Sequence, residues 1–183
     1  EMCIRDRLMS RLSMVFQDVY LFDDSLIANI RVGRPDASDE EVFRAADLSG
    51  VTSIANRLGW HTPVGEGGRL LSGGERQRVS VARALLKQAP IVLFDEATSA
   101  LDAENEANIL AAMDELREQS TFIVIAHKLD TIKSADQIVV LDEHGQVSQL
   151  GTHSELSDVP GIYRHFWQQR KAASGWKISS GRD

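Results

Sequence analysis

Cysteine is almost absent. Cys3 is the only one in 183 residues, so no internal disulfide can form and no cysteine-rich metal site can be built from this chain. Proline is scarce, four in all, and Pro35 and Pro90 stand where the helical patterns break. Long hydrophobic runs are missing too: Ile91–Phe94 and Ile138–Leu141 are four residues each, whereas a membrane span needs about eighteen or more. Positive charge is in deficit, with twenty Lys and Arg against twenty-seven Asp and Glu and a net charge of −7. That balance argues against a general binder of nucleic acid or acidic membrane, which needs a basic face for its phosphate contacts. What is present, 43% hydrophobic and 26% charged residues, suits one globular domain of ordinary size. There is no internal repeat and no low-complexity segment.

Along the chain, Leu12 to Phe16 reads as a strand that runs through Gln17-Asp18 into a polar loop, and Gly33-Arg34-Pro35 is a break in the pattern. Ser38 and Glu41 have capping-box spacing, and Val42, Ala45, Ala46, Ile54 and Leu58 give apolar faces, which predicts one or two helices over 39–58. Residues 61–70 are a glycine-rich loop. A helix over about 75–88 then ends before Pro90, and the run Ile91-Val92-Leu93-Phe94 predicts a strand buried on both faces. A helix over 103–118, with Ile109, Leu110, Met113 and Leu116 on one face, precedes a second buried strand over 121–126. A short helix over 128–135, strands at 137–142 and 147–150 and a terminal helix over 161–171 complete the pattern, with 172–183 expected to be loose. Strand and helix alternating at these lengths predict a parallel α/β fold.

Four places carry chemistry. Leu71-Ser72-Gly73-Gly74-Glu75-Arg76-Gln77-Arg78 opens a helix, with Ser72 as N-cap and Glu75 in capping-box position. Glycine in a first turn costs helix stability, and two make sense if bare backbone must let something approach. Amides, a hydroxyl and the positive dipole end suit an anion such as a phosphate. The plain alternative is a helix cap after a glycine turn. Asp95 and Glu96 come directly after the apolar run at 91–94, at the sheet edge where ligands of parallel α/β folds bind. One can hold Mg²⁺ while the other orients or deprotonates a water. His127 ends the next apolar run, where its imidazole could donate to a phosphate oxygen. Gln17 comes just after the first strand, where an amide can cap a loop as easily as touch a metal or water.

One motif is conspicuous by its absence: G-x-x-x-x-G-K-[ST] occurs nowhere, and Gly65-Glu66-Gly67-Gly68 has neither the lysine nor a strand directly before it. Gly-x-Ser-x-Gly and His-Glu-x-x-His are missing as well.

Taken in order, Val15-Phe16-Gln17-Asp18, Leu71 to Arg78, Ile91 to Asp102 and Ile125-Ala126-His127 resemble the Q-loop, signature, Walker B with D-loop, and switch histidine of an ATP-binding cassette, over roughly residues 8–170. Val64-Gly65-Glu66 is similar to the loop by which exporter-type cassettes touch their membrane domains, with Gly67 where an arginine is common. Met14 to Phe22 and Phe166 to Lys171 are similar to exporter-fold half-transporters linked to siderophore handling. The resemblance implies a RecA-like P-loop NTPase core, incomplete here, with an inserted helical subdomain. The helical part would be about 23–88, the core part about 89–160 and the C-terminal helix about 161–171. The family's phosphate loop would precede residue 8, and residues 1–7 do not resemble the sequence expected there.

By the same resemblance, the function implied is an ABC transporter segment that binds ATP and Mg²⁺ and couples hydrolysis to solute transport. Gln17 and Asp95 would serve the metal, Glu96 would be the general base and His127 would meet the γ-phosphate. Ser72, Gly73, Gly74 and Glu75 would contact nucleotide held by a second cassette, and Asp102 would link the two sites. The Gln17 and Glu66 loops would meet a transmembrane domain at the cytoplasmic face of the inner membrane. Without a phosphate loop, the 183 residues alone are expected to be inactive as an ATPase. Two rival readings are a soluble ABC-type ATPase acting on nucleic acid or ribosomes, and a non-catalytic fragment that dimerises on a partner's nucleotide.

Overall fold

The computed structural model describes residues 4–16, 18–95, 114, 116–118, 120–125 and 132–175. The chain forms two compact units, 1–125 and 126–183. In the first, a parallel sheet has the order β1 (Leu12–Val15), β2 (Ile91–Asp95), β3 (Thr121–Ile125). Helix α1 (Ile4–Ser10) precedes β1, and α2 (Leu26–Arg31), α3 (Asp39–Leu48), α4 (Thr52–Leu58) and α5 (Gly73–Lys87) lie between β1 and β2. The second unit pairs β4 (Ile138–Leu141) with β5 (Val147–Gly151) as an antiparallel hairpin, and α6 (His153–Asp158) and α7 (Ile162–Gly175) come after it.

Three helices begin on the same local device. Ser38, Ser72 and Thr152 each accept the amide three residues on, while Glu41, Glu75 and Glu155 reach back to the cap's own amide. Each box satisfies two donors that a helix start would otherwise leave bare. The spacing at Ser38 and Ser72 indicates this in sequence. The helices α1, α2 and α6 are not among the elements expected from sequence, α2 being capped by Ser25. The terminal helix runs on to Gly175.

Helix α5 is the axis of the first unit. Residues 77–82 and 84–86 are buried around its circumference, and Val79, Val81, Leu85 and Leu86 join Val15, Val92 and Phe94 from the sheet and Leu26, Ile30, Val42 and Ile54 from the other helices in one core. Helix α2 comes against it so closely that a Cβ on Gly33 would stand 2.3 Å from the Arg83 carbonyl oxygen. Gly33→Ala should therefore push α2 off α5 and cost about 1–3 kcal/mol, as overpacking does. The check is urea denaturation, with the midpoint falling at unchanged slope.

The sheet departs from expectation on one side. Val92 and Phe94 are buried, and Phe122 and Val124 pack on the same core. The alternate residues of β3 do not: Ile123 is 51% and Ile125 58% exposed, and across β2, in the same register row as Ile123 and Leu93, Met14 of β1 is exposed too. So among the described residues β3 is covered on one face rather than two: Phe122 and Val124 face the core that α5 builds, and Ile123 and Ile125 face the other way. The expected helices over 103–118 and 128–135 fall mostly outside the described residues, as does 176–183.

Candidate functional site

The first turn of α5 is built from its cap outward. Ser72 has the extended backbone of an N-cap, and Glu75 N–H donates to its Oγ at 3.2 Å. Glu75 Oε2 accepts from Ser72 N–H at 2.8 Å, and Glu75 Oε1 accepts from Arg57 of α4 at 2.5 Å. These bonds use the third amide of the helix and leave those of Gly73 and Gly74 without intrahelical acceptors, as helix geometry dictates. Ser72 and Gly73 are exposed and Gly74 is half-buried. With its hydroxyl accepting from Glu75, Ser72 keeps its O–H proton for an outside acceptor. The result is a pair of amides and a hydroxyl facing outward at the positive end of a fifteen-residue helix.

Gly73 has no internal reason to be glycine. A Cβ there would meet only the end of Arg76, at 3.9 Å, an ordinary contact, and alanine is the better helix former. The space is kept open toward the outside.

Burial works to raise the pKa of Glu75, but the backbone bond from Ser72 and the bond and charge of Arg57 outweigh it and hold the carboxyl below its ordinary value of 4.5. A depressed acid adds stability that is fully present above the unfolded pKa and is lost as pH falls through the folded one. The stability difference between this chain and Glu75→Gln should therefore be largest near neutral pH and shrink as the pH is taken below 4.5 and through the folded-state pKa, measured as urea midpoints on acidification.

Asp95 closes β2, the middle strand, half-buried and in register with Ile125. Because the strands are parallel, Val15, Asp95 and Ile125 end at one edge of the sheet. Gln17, Glu96, Asp102 and His127 lie outside the described residues. Among the described residues, no group of three or more His, Cys, Asp or Glu could hold a metal unaided.

The Glu66 turn, a 3-10 turn over Glu66–Gly68, is joined to the segment after β1. Val64 N–H donates to the Asp24 carbonyl at 3.0 Å, Ser25 bridges to Pro63, and a Cβ on Gly68 would stand 2.8 Å from Leu21. Glu66 itself is exposed. In the segment after β1, Tyr20 and Phe22 meet edge to face at 5.8 Å while remaining 58% and 52% exposed.

Comparison with known proteins decides the family. The family described as ABC transporter matches residues 3–99. This chain belongs to it. Over 160 residues, 86% of the chain, the cassette is 48% identical to an ATP-dependent lipid A-core flippase of Neisseria meningitidis serogroup A, of which it covers 26%. It is likewise 48% identical over 170 residues, 92% of the chain, to a mycobactin import ATP-binding/permease protein of Mycolicibacterium thermoresistibile, covering 29%. A bacterial Atm1-family ABC exporter solved with ATP bound superposes with a TM-score of 0.84 at 44% identity, over 93% of this chain and 30% of that one. The fold is thus the RecA-like α/β fold of ABC proteins, and the chain spans about a quarter of the length of the curated relatives it matches.

Two residues that hold the site's surroundings together, Asn29 and Arg83, belong to none of the sequence motifs. Their signal is a lone polar side chain within an apolar run, in Leu26-Ile27-Ala28-Asn29-Ile30 and Val81-Ala82-Arg83-Ala84-Leu85.

Proposed function

We propose that this chain is the nucleotide-binding cassette segment of an ABC transporter and couples ATP hydrolysis to solute transport. The observation that carries the reading is the outward-facing first turn of α5, where Gly73 keeps clear a space that nothing inside the chain requires. A nucleotide phosphate brought by a second cassette suits the two amides, the Ser72 hydroxyl and the helix dipole. Ser72, Gly73 and Gly74 contact that nucleotide, and Glu75 holds the turn rigid through its cap bonds.

Asp95 fits Mg²⁺. The ion is usually held by one or two carboxylates together with substrate phosphates and water, so a single acid at the C-terminal end of a central strand is sufficient from the protein, with Gln17 alongside. The ion would neutralise phosphate charge. Glu96 takes the proton of, or orients, the attacking water, His127 donates to the γ-phosphate, and Asp102 links the two nucleotide sites. Residues 23–88 form the helical subdomain and 89–160 the core part. The Gln17 and Glu66 loops face a transmembrane domain at the cytoplasmic side of the membrane, and the exposed Tyr20 and Phe22 offer that domain an apolar foothold.

The test compares the chain alone with a chimera in which residues 12–170 replace the matching segment of the Neisseria flippase. The chimera should hydrolyse Mg-ATP, and the chain alone should not, since the backbone cradle and lysine for the β- and γ-phosphates are missing from its sequence. A folded chimera without turnover, or a chain that turns over alone at the chimera's rate, contradicts the proposal.

A further inference from the structure

The segment between β1 and α2 has almost no regular structure, yet its backbone is stitched down by two polar side chains, one fully buried and one half-buried. Asn29 of α2 is fully buried. Its Nδ2 donates to the carbonyls of Phe22, Asp24 and Ser25 at 3.0, 3.2 and 3.1 Å, and its Oδ1 accepts from Phe22 N–H at 2.9 Å. Arg83 of α5 closes the arrangement from the other side. Its Nε donates to the Asn29 carbonyl at 2.7 Å, one Nη to Asn29 Oδ1 at 2.8 Å and the other to the Tyr20 carbonyl at 3.0 Å.

Guanidinium is the only side chain that can make this three-way contact, because its donors are fixed in one planar fork. None of the ion pairs among the described residues includes Arg83, and burial lowers its pKa to about 10, which leaves it charged at neutral pH. The backbone carbonyls and the Asn29 amide oxygen therefore receive charge-assisted bonds, the stronger kind. Gly33 brings α2 against α5 at the same residue, a Cβ there meeting the Arg83 carbonyl oxygen. Two independent contacts thus fasten the segment and α2 to α5 at one point, and α5 is a continuous helix from there back to Ser72.

We propose that Arg83 is a positioning residue that locks Tyr20–Ser25 to α5, so that the segment after Gln17 and the helix carrying Ser72, Gly73 and Gly74 open and move as one body. A shift at the Gln17 side then reaches the first turn of α5 as a displacement of the whole helix. This consequence for turnover rests on the functional reading above, while the lock itself rests on the geometry alone.

Amide hydrogen exchange on the 183-residue chain tests the lock. In the unaltered chain at low denaturant, the amides of Phe22 and Val64, which report the segment, and that of Arg76, which donates to the Ser72 carbonyl, should share one opening isotherm. Arg83→Lys keeps the charge and one donor but cannot make the fork. It should speed exchange at Phe22 and Val64 by about tenfold or more while Arg76 and the β2 amides change less than about twofold. Uniform acceleration throughout residues 4–125 would mean that Arg83 only adds stability, and no acceleration would mean that it holds nothing; either result overturns the proposal. Separate isotherms in the unaltered chain overturn it too, without any variant having to fold. In the chimera, Arg83→Lys should lower kcat for ATP severalfold at unchanged KM. If exchange uncouples as expected but kcat does not fall, the lock stands and its part in turnover is wrong; if the parent chimera does not hydrolyse ATP at all, it is the functional reading that fails.

Discussion

Glu96→Gln in the flippase chimera is expected to lower ATP turnover by about 10²- to 10⁴-fold, the usual loss when a general base is removed, while nucleotide binding persists. In sequence the residue comes directly after Asp95, the last residue of the central strand. Asp95 can offset Mg²⁺ charge, which leaves the next carboxylate for the water. Glutamine keeps the size and much of the hydrogen bonding and loses only the basicity. ATP should therefore accumulate unhydrolysed on the variant, measurable as retained radiolabelled nucleotide after rapid gel filtration. Asp95→Asn should lose Mg²⁺-dependent binding as well. Turnover at the parent rate in Glu96→Gln would make Glu96 a solvated acid, and His127 would be the next base to test.

Gly73→Asp separates the two roles a helix start can have. Inside the chain, the substitution is harmless or favourable: the added Cβ has room, and an acid in the first turn complements the helix dipole. Toward a phosphate it is doubly unfavourable, since it fills the approach and opposes the charge. Turnover in the chimera should fall by about 10²-fold, the scale on which losing a donor aimed at developing charge is felt, while the melting temperature of the 183-residue chain holds or rises. A fall in both would show that the glycine serves the fold.

How much of the fold and the site is legible in the sequence depends on length and company. The three parallel strands can be read because each run of apolar residues ends in polar ones, although a continuous run cannot show that Ile123 and Ile125 face away from the core. The start of α5 is legible because Ser72 and Glu75 have a spacing with a physical mechanism, which the structure completes with both bonds. The same spacing at Thr152 and Glu155 starts α6, but six residues are too few for helical periodicity to announce themselves. Helix α2 is equally short, and its Asn29 looks like a loop amide until its five side-chain bonds are seen. Arg83 is hidden for a different reason. A lone arginine in a helix normally marks the solvent face, and Arg83 is indeed only half-buried, so nothing in the pattern shows that its donors turn back onto Tyr20 and Asn29. Gln17, Glu96, Asp102 and His127 owe their assignment to the company of the motifs alone.

The central claim is that the first turn of α5 serves a nucleotide held by the other cassette. Mixed chimeric dimers, isolated through two different affinity tags, test it directly. In one dimer a single protomer carries both Gly73→Asp and a Lys→Ala change in the phosphate loop that the family pattern places ahead of residue 12. In the other dimer the two changes are divided between protomers. If α5 acts across the dimer, dividing the changes spoils the same site twice and leaves one site intact, so that dimer should retain ATPase activity while the dimer with both changes in one protomer loses it. Activity in the opposite pattern, kept when both changes share a protomer and lost when they are divided, would place the α5 turn at its own subunit's nucleotide and contradict the account.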